Sequence, residues 1–127
     1  MPATGNRGWR ILVVDDEPAV CDAIKMMLQF DGHEVQTVRG GKEALALLER
    51  DQFDLITVDY AMVGMKGDEL ATAIKQRLPN QPVIMITAYA EMLKSSGNPL
   101  TGVDGLVSKP FMLDDLRRAI ARILPRN

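Results

Sequence analysis

Five residues of this 127-residue chain are of types that do chemistry, and each stands where an apolar run stops. Asp59 closes Leu55-Ile-Thr-Val58, a short β-branched stretch. Asp15 and Asp16 follow Ile11-Leu-Val-Val14. Thr87 follows Val83-Ile-Met-Ile86, and Lys109 follows Gly105-Leu-Val107 and Ser108. Singly, each has an ordinary explanation. An aspartate pair just before Pro18 is a favoured helix cap. Thr87 is a normal strand residue, and Lys109 alone reads as a solvated charge. Asp59 could be a turn residue facing water, although the end of a buried run before an apolar loop is an awkward place for that. Together they describe something else. Three carboxylates gathered in one crevice repel, and burial raises the cost. A hard divalent cation with oxygen ligands removes that repulsion, and magnesium takes one or two carboxylates, water and a phosphate. A carboxylate can act as a nucleophile and form an acyl phosphate. A lysine ammonium and a threonine hydroxyl would serve the phosphoryl oxygens. Phosphoryl transfer asks chiefly for in-line placement and charge neutralisation. The pattern therefore reads as a magnesium-loaded pocket in which Asp59 accepts a phosphoryl group.

For these groups to meet, their strands must deliver them to one edge. Strands are expected over residues 10–14, 34–38, 55–59, 83–87 and 104–108. Between them, apolar residues recur at helical spacing. Val20, Ala23, Ile24, Met27 and Leu28 mark a first helix behind Pro18, which suits a first turn. Ala44, Leu45, Leu47 and Leu48 mark a second helix after Gly40-Gly41. Leu70, Ala73, Ile74 and Leu78 mark a third, after a loop broken by Gly64 and Gly67. Leu113, Leu116, Ile120 and Ile123 mark the last, with Arg117, Arg118 and Arg122 outward. Residues 88–94 have helical character, but Ser95-Ser-Gly-Asn-Pro99 is turn chemistry, so no full-length helix is expected there. Strand and helix alternating five times imply a parallel sheet with helices on both faces. Ligands of such sheets bind outside the carboxyl ends of the strands.

Composition narrows the function. Hydrophobic residues make up 46% and charged residues 25%, which fits one globular domain with one core. Residues 1–9 read as a flexible lead-in and 10–125 as the domain. With Asn127 directly after the last helix, no second domain is expected within this sequence. The net charge of −2, from 15 basic and 17 acidic residues, gives no electrostatic case for direct nucleic-acid binding. No apolar run approaches the ~20 residues needed to span a bilayer, and the N-terminus lacks the apolar segment of a signal peptide. Cys21 is the only cysteine, so no internal disulfide can form, and a cytoplasmic location fits. His33 is the only histidine, which removes histidine-rich metal sites. The eight methionines read as core filler.

Four motifs in this order resemble the receiver domain of two-component response regulators, over residues 10–124. They are Val13-Val-Asp-Asp-Glu-Pro18, Asp59-Tyr-Ala-Met62 with Gly67 following, Ile86-Thr-Ala88, and Ser108-Lys-Pro-Phe111. The resemblance implies a flavodoxin-like, doubly wound five-stranded sheet in the order 2-1-3-4-5. It implies that Asp59 takes phosphate from a phosphohistidine of a sensor histidine kinase or phosphotransfer protein. Asp15, Asp16, Asp59 and the carbonyl of Ala61 would hold Mg2+, and Thr87 and Lys109 would bind the phosphoryl group. Lys109-Pro110 should be a cis peptide. Such a domain is a switch for a downstream effector or a missing output domain, with at most self-phosphorylation and slow self-dephosphorylation, and is not an enzyme in its own right.

Two departures from the family pattern stand out. Val63-Gly64 replaces the proline that usually follows the methionine, which should free the loop. Leu106 occupies the position of an aromatic that usually follows the threonine, which questions the usual threonine–aromatic switch. Tyr89 has two readings, as a partial substitute for that aromatic or as a ring resting on the surface beside the site. A degenerate receiver, acting as a phosphorylation-independent interaction module, is the alternative that Leu106 leaves open. An aspartyl-phosphate phosphatase would want an Asp-x-Asp spacing after the first strand and a cap domain. A flavin module would want a glycine- and hydroxyl-rich phosphate loop where Asp15-Asp16-Glu17-Pro18 stands.

Overall fold

The structure is a computed structural model that describes residues 8–95 and 102–125. Strand and helix alternate along the chain: β1 (Arg10–Val14), α1 (Pro18–Phe30), β2 (Glu34–Val38), α2 (Gly41–Leu48), β3 (Leu55–Asp59), α3 (Gly67–Arg77), β4 (Val83–Thr87), α4 (Ala90–Ser95), β5 (Gly105–Ser108) and α5 (Leu113–Ile123). The five strands form one parallel sheet in the order β2-β1-β3-β4-β5, the flavodoxin-like arrangement that the resemblance implies.

Burial explains why the central strands are apolar on both faces. Ile11, Val13, Leu55, Ile84, Ile86 and Val107 pack under Cys21, Ile24 and Leu28 of α1 and Leu116, Ala119 and Ile120 of α5. Leu12, Val14, Ile56, Val58, Val83 and Met85 pack against Ala44 and Leu47 of α2 and Leu70, Ala71 and Ile74 of α3. Successive strand residues alternate between these clusters, as a period of two requires. Each fully buried leucine or isoleucine contributes about 1.5–3 kcal/mol against an exposed one. This two-sided core is what holds the strand ends in register. β2 lies on the outer edge, and Val35 is its one buried residue.

The helix ends are built from local donors and acceptors. Asp31-Gly32 stops α1: Gly32 takes φ +88, and the His33 N–H reaches back to the Leu28 carbonyl. At the start of α3, Glu69 Oε1 accepts the Lys66 N–H at 2.9 Å. At the start of α5, Asp115 Oδ2 accepts the Met112 N–H at 2.7 Å. These bonds satisfy amides that a helix start would otherwise leave unpaired. They also fix the loops that leave β3 and β5.

Helix phase differs from the sequence reading at a few positions. Ala23 and Leu78 face outward, while Cys21, Ala71 and Ala119 are buried. A small residue beside a packed sheet is easily read as neutral when it is core. β5 begins one residue later than expected. The carboxylate of Asp104 instead accepts the Val83 N–H and the Lys75 ammonium, each at 2.8 Å. α4 is a short helix, in line with the turn residues behind it; residues 96–101 lie outside the described part. Residues 1–7 of the proposed lead-in also lie outside it. Trp9 is ordered against the core, and its carbonyl accepts the Glu34 N–H. No helix among the described residues is long and apolar enough to cross a membrane.

The backbone N–H of Trp9 donates to His33 Nδ1 at 2.9 Å, so that nitrogen must be unprotonated. Burial holds the His33 pKa below the ordinary imidazole value, against an opposing pull from Asp31. On acidification the unfolded chain therefore takes this proton before the folded one does. The associated stability is complete above the unfolded pKa and is lost as pH falls through the lower folded value. Urea unfolding from about pH 7.5 down to about pH 5 should show a steeper loss of stability in the wild type than in His33→Gln. Equal slopes would show that His33 does not couple protonation to folding.

Candidate functional site

The register brings the carboxyl ends of β1, β3, β4 and β5 to one edge, with Val14 beside Val58, Asp59 beside Ile86 and Thr87 beside Ser108. Asp15 follows β1 directly and is 1% exposed, and Asp59 closes β3 and is 5% exposed. Asp16 is half-buried. One carboxylate oxygen from each of the three lies within 4.8 Å of the others. The sequence-predicted acids are therefore brought together.

Each acid is oriented by a donor of the protein. Asp15 Oδ1 accepts the Glu17 N–H at 2.9 Å, and its own N–H donates to the Val38 carbonyl. This is not the helix-cap role open to the pair in sequence, because Glu17 is the N-cap of α1 and no side chain caps it. Asp16 Oδ2 accepts the Val63 N–H at 3.0 Å, across 47 residues of chain. Lys109 Nζ lies 3.1 Å from Asp59 Oδ1 and 3.4 Å from Asp15 Oδ2. Beneath the acids, the buried Cys21 thiol donates to the Asp15 carbonyl at 3.1 Å. Burial pushes that thiol's pKa up, and Asp15 adds to the shift.

The electrostatic balance is negative. Two like charges about 5 Å apart cost about 3–4 kcal/mol at an effective dielectric of about 20. One ammonium against three carboxylates offsets only part of this. Burial raises the Asp59 pKa, and the charges of Asp15 and Asp16 add to the effect while Lys109 opposes it. For Lys109, burial pulls the other way, but its contacts with Asp59 and Asp15 outweigh it and hold the ammonium charged.

Thr87 ends β4 and is fully buried. Its Oγ accepts the Tyr89 N–H at 3.0 Å, and its carbonyl accepts the Lys109 N–H at 2.9 Å. Lys109-Pro110 is cis, as the resemblance implies. Ala61 is exposed on the loop two residues past Asp59; the next residue, Met62, is buried and pins the loop to the core. Leu106, like Leu93 and Tyr60, packs against the buried cluster on the α2 and α3 side of the sheet. The Tyr60 and Tyr89 rings meet edge to face at 6.3 Å, and Lys66 Nζ lies 5.7 Å from the Tyr60 ring centre.

Sequence reasoning missed the Glu17 and Val63 amides and the Tyr60–Tyr89 contact. Backbone donors leave no mark in residue type. The ring pair had a weak signal, since each tyrosine lies within two residues of one assigned to the pocket.

The sequence profile of the response regulator receiver domain matches residues 11–121. The transcriptional regulatory protein TcrA of Mycobacterium tuberculosis is 33% identical over 118 residues, covering 91% of this chain and 47% of that protein. This chain thus spans about half the length of the curated relatives it matches. Response regulator protein TrrA of Thermotoga maritima, solved in complex with Mg(2+)-BeF, superposes with a TM-score of 0.82 at 34% identity, covering 91% of this chain and 98% of that one. Chemotaxis response regulator CheY4 of Vibrio cholerae gives a TM-score of 0.83 at 30% identity, covering 92% and 99%.

The approach of α3 to the end of β3 depends on Gly67. A Cβ there would collide with the Asp59 carbonyl oxygen and stand 2.8 Å from Tyr60 Cα, and backbone cannot give way as a side chain can. Gly67→Ala should lower stability by about 1–3 kcal/mol in urea unfolding. Gly40→Ala, at the N-cap of α2, should cost less than about 1 kcal/mol, because its Cβ would meet nothing nearer than Glu43 Oε1 at 3.6 Å. Equal effects from the two would show that the contact at Gly67 is not tight.

Proposed function

Because the chain belongs to the response regulator receiver domain family of two-component signalling, we propose that Asp59 accepts a phosphoryl group from a phosphohistidine on a sensor kinase or phosphotransfer protein. The observation that carries this reading is one ammonium set against two buried carboxylates, with Lys109 Nζ 3.1 Å from Asp59 and 3.4 Å from Asp15. An Asp59 carboxylate oxygen forms the new bond to phosphorus as the bond from phosphorus to imidazole nitrogen breaks. The departing imidazole keeps the electron pair and takes up a proton from solvent. Lys109 neutralises charge on the transferring oxygens. Thr87 Oγ already accepts one hydrogen bond, so its O–H remains to donate to a phosphoryl oxygen.

The donor set also fits a hard divalent cation: all three clustered side chains offer oxygen, and together they leave the edge negative. Asp15, Asp16, Asp59 and the Ala61 carbonyl are the groups that would hold Mg2+. When bound, the ion supplies positive charge that the phosphoryl oxygens need and that Lys109 alone does not provide. The Mg(2+)-BeF complex of the similar protein TrrA supports this reading.

Acyl-phosphate formation at Asp59 then changes what the domain binds, either a separate effector or an output domain joined to it. Leu106 has no polar atom with which to answer Thr87, so the change begins at the Thr87–Tyr89 hydrogen bond and runs into residues 88–104, of which 96–101 lie outside the described residues. The protein is a switch, and steady turnover of phosphate esters is not its task.

Acetyl phosphate with Mg2+ should add the mass of one phosphoryl group to the intact chain. Asp59→Asn should show no such adduct, and Lys109→Gln should form it at least about tenfold more slowly. An unmodified wild type, or an adduct that survives in Asp59→Asn, would overturn the assignment.

A further inference from the structure

Of the three clustered acids, Asp16 is the least enclosed. Asp15 and Asp59 sit in the sheet edge with Lys109 between them, whereas the Asp16 carboxylate accepts the Val63 N–H, 3.0 Å from Oδ2. That bond ties the loop leaving β1 to the loop leaving β3 across the mouth of the site. The donor is a backbone group. The Val63 side chain itself is 88% exposed.

We propose that the Val63 amide is a positioning group for the divalent cation, holding Asp16 in the orientation in which it serves as a ligand. The inference rests on the reading of Asp15, Asp16 and Asp59 as the cation site. A carboxylate has two oxygens and about four acceptor positions, so one N–H leaves room for an ion on the same group. An exposed aspartate without such a tie loses rotamer entropy when it binds an ion; a tied one has already lost it. The N–H also places partial positive charge beside a carboxylate that faces two others. Groups that orient a ligand in this way typically change metal affinity by about 10–100-fold when removed. At position 63 the chemistry turns on a single atom: proline has no N–H and cannot make the bond.

Mg2+ alone is the probe, titrated into the full chain by calorimetry and by amide chemical shifts. Val63→Ala keeps the N–H and should bind Mg2+ as the wild type does. Val63→Pro should bind about tenfold more weakly. Val63→Pro affinity equal to or tighter than that of Val63→Ala would overturn the proposal, because the amide would then be idle or competing with the ion. A second measurement does not depend on how the proline variant folds. In the wild type the Val63 amide should exchange with solvent more slowly than the Gly64 amide, more slowly still with Mg2+ bound, and rapidly in Asp16→Ala. Exchange of the Val63 amide that ignores both Mg2+ and Asp16→Ala would also overturn the proposal. A wild type that binds no Mg2+ would sink the cation site itself and this inference with it. Binding that is unaltered in Val63→Pro would sink the inference alone.

Discussion

Mutual repulsion among three carboxylates at one sheet edge is the constraint on which the rest of this site depends. Asp15 and Asp59 are almost wholly removed from water, and Asp16 stands beside them. A chain that simply collapsed would not bring these groups together, because desolvation and like charge oppose it jointly. They are held there by something stronger and remote from the charges. The two apolar clusters on either side of the sheet fix β1, β3 and β4 in parallel register, and that register carries the acids to the same edge whether or not they repel. The raised pKa of Asp59 is the residue of that conflict, only partly offset by Lys109.

How such a site stays ordered is visible in its donors. Glu17 N–H holds Asp15, Val63 N–H holds Asp16, and the Lys109 ammonium holds Asp59. Two of these three are amides of loop residues, and each loop is in turn anchored by its neighbours in the chain. The loop after β3 is pinned by buried Met62, by the Gly67 N–H on the Tyr60 carbonyl, and by the start of α3. Lys109 is placed by its own N–H on the Thr87 carbonyl and by the turn into α5. Local helix-start chemistry outside the acid cluster thus sets the angles at which the clustered charges meet.

The strands and the acids were legible in the sequence because each leaves a mark in residue type. An apolar run ending in Asp59 is readable as a buried strand with a polar tip, and four such runs ending in polar groups imply a shared edge. The amides were not legible, since every residue except proline has one. Val63 shows the limit. In sequence it reads as a lost proline and hence a looser loop; in the structure the amide that comes with that loss ties the loop to Asp16. Helix phase was partly misread for a related reason. Cys21, Ala71 and Ala119 are buried within the two clusters against the sheet, and small side chains do not announce it. Ala61 shows a further limit: its proposed role belongs to a backbone carbonyl, and residue type is silent about carbonyls.

Thr87 is where the fold and the site are joined most tightly. Its carbonyl receives the Lys109 amide, its hydroxyl receives the Tyr89 amide, and Tyr89 touches Tyr60, the residue after Asp59. These contacts form a closed circuit from Asp59 through Lys109 and Thr87 back to Tyr60. Leu106 stands outside that circuit, packed against the cluster on the α2 and α3 side as an apolar residue whose side chain has nothing to donate or accept. Any event that draws the Thr87 hydroxyl toward the acids removes the acceptor from the Tyr89 N–H at the start of α4. An unmade hydrogen bond of that kind costs about 1–3 kcal/mol where water cannot replace it. That bond is part-buried, so water can replace some of it, and the cost of moving Thr87 falls short of the top of that range. A modest cost at this one point is the property that the proposed switch requires.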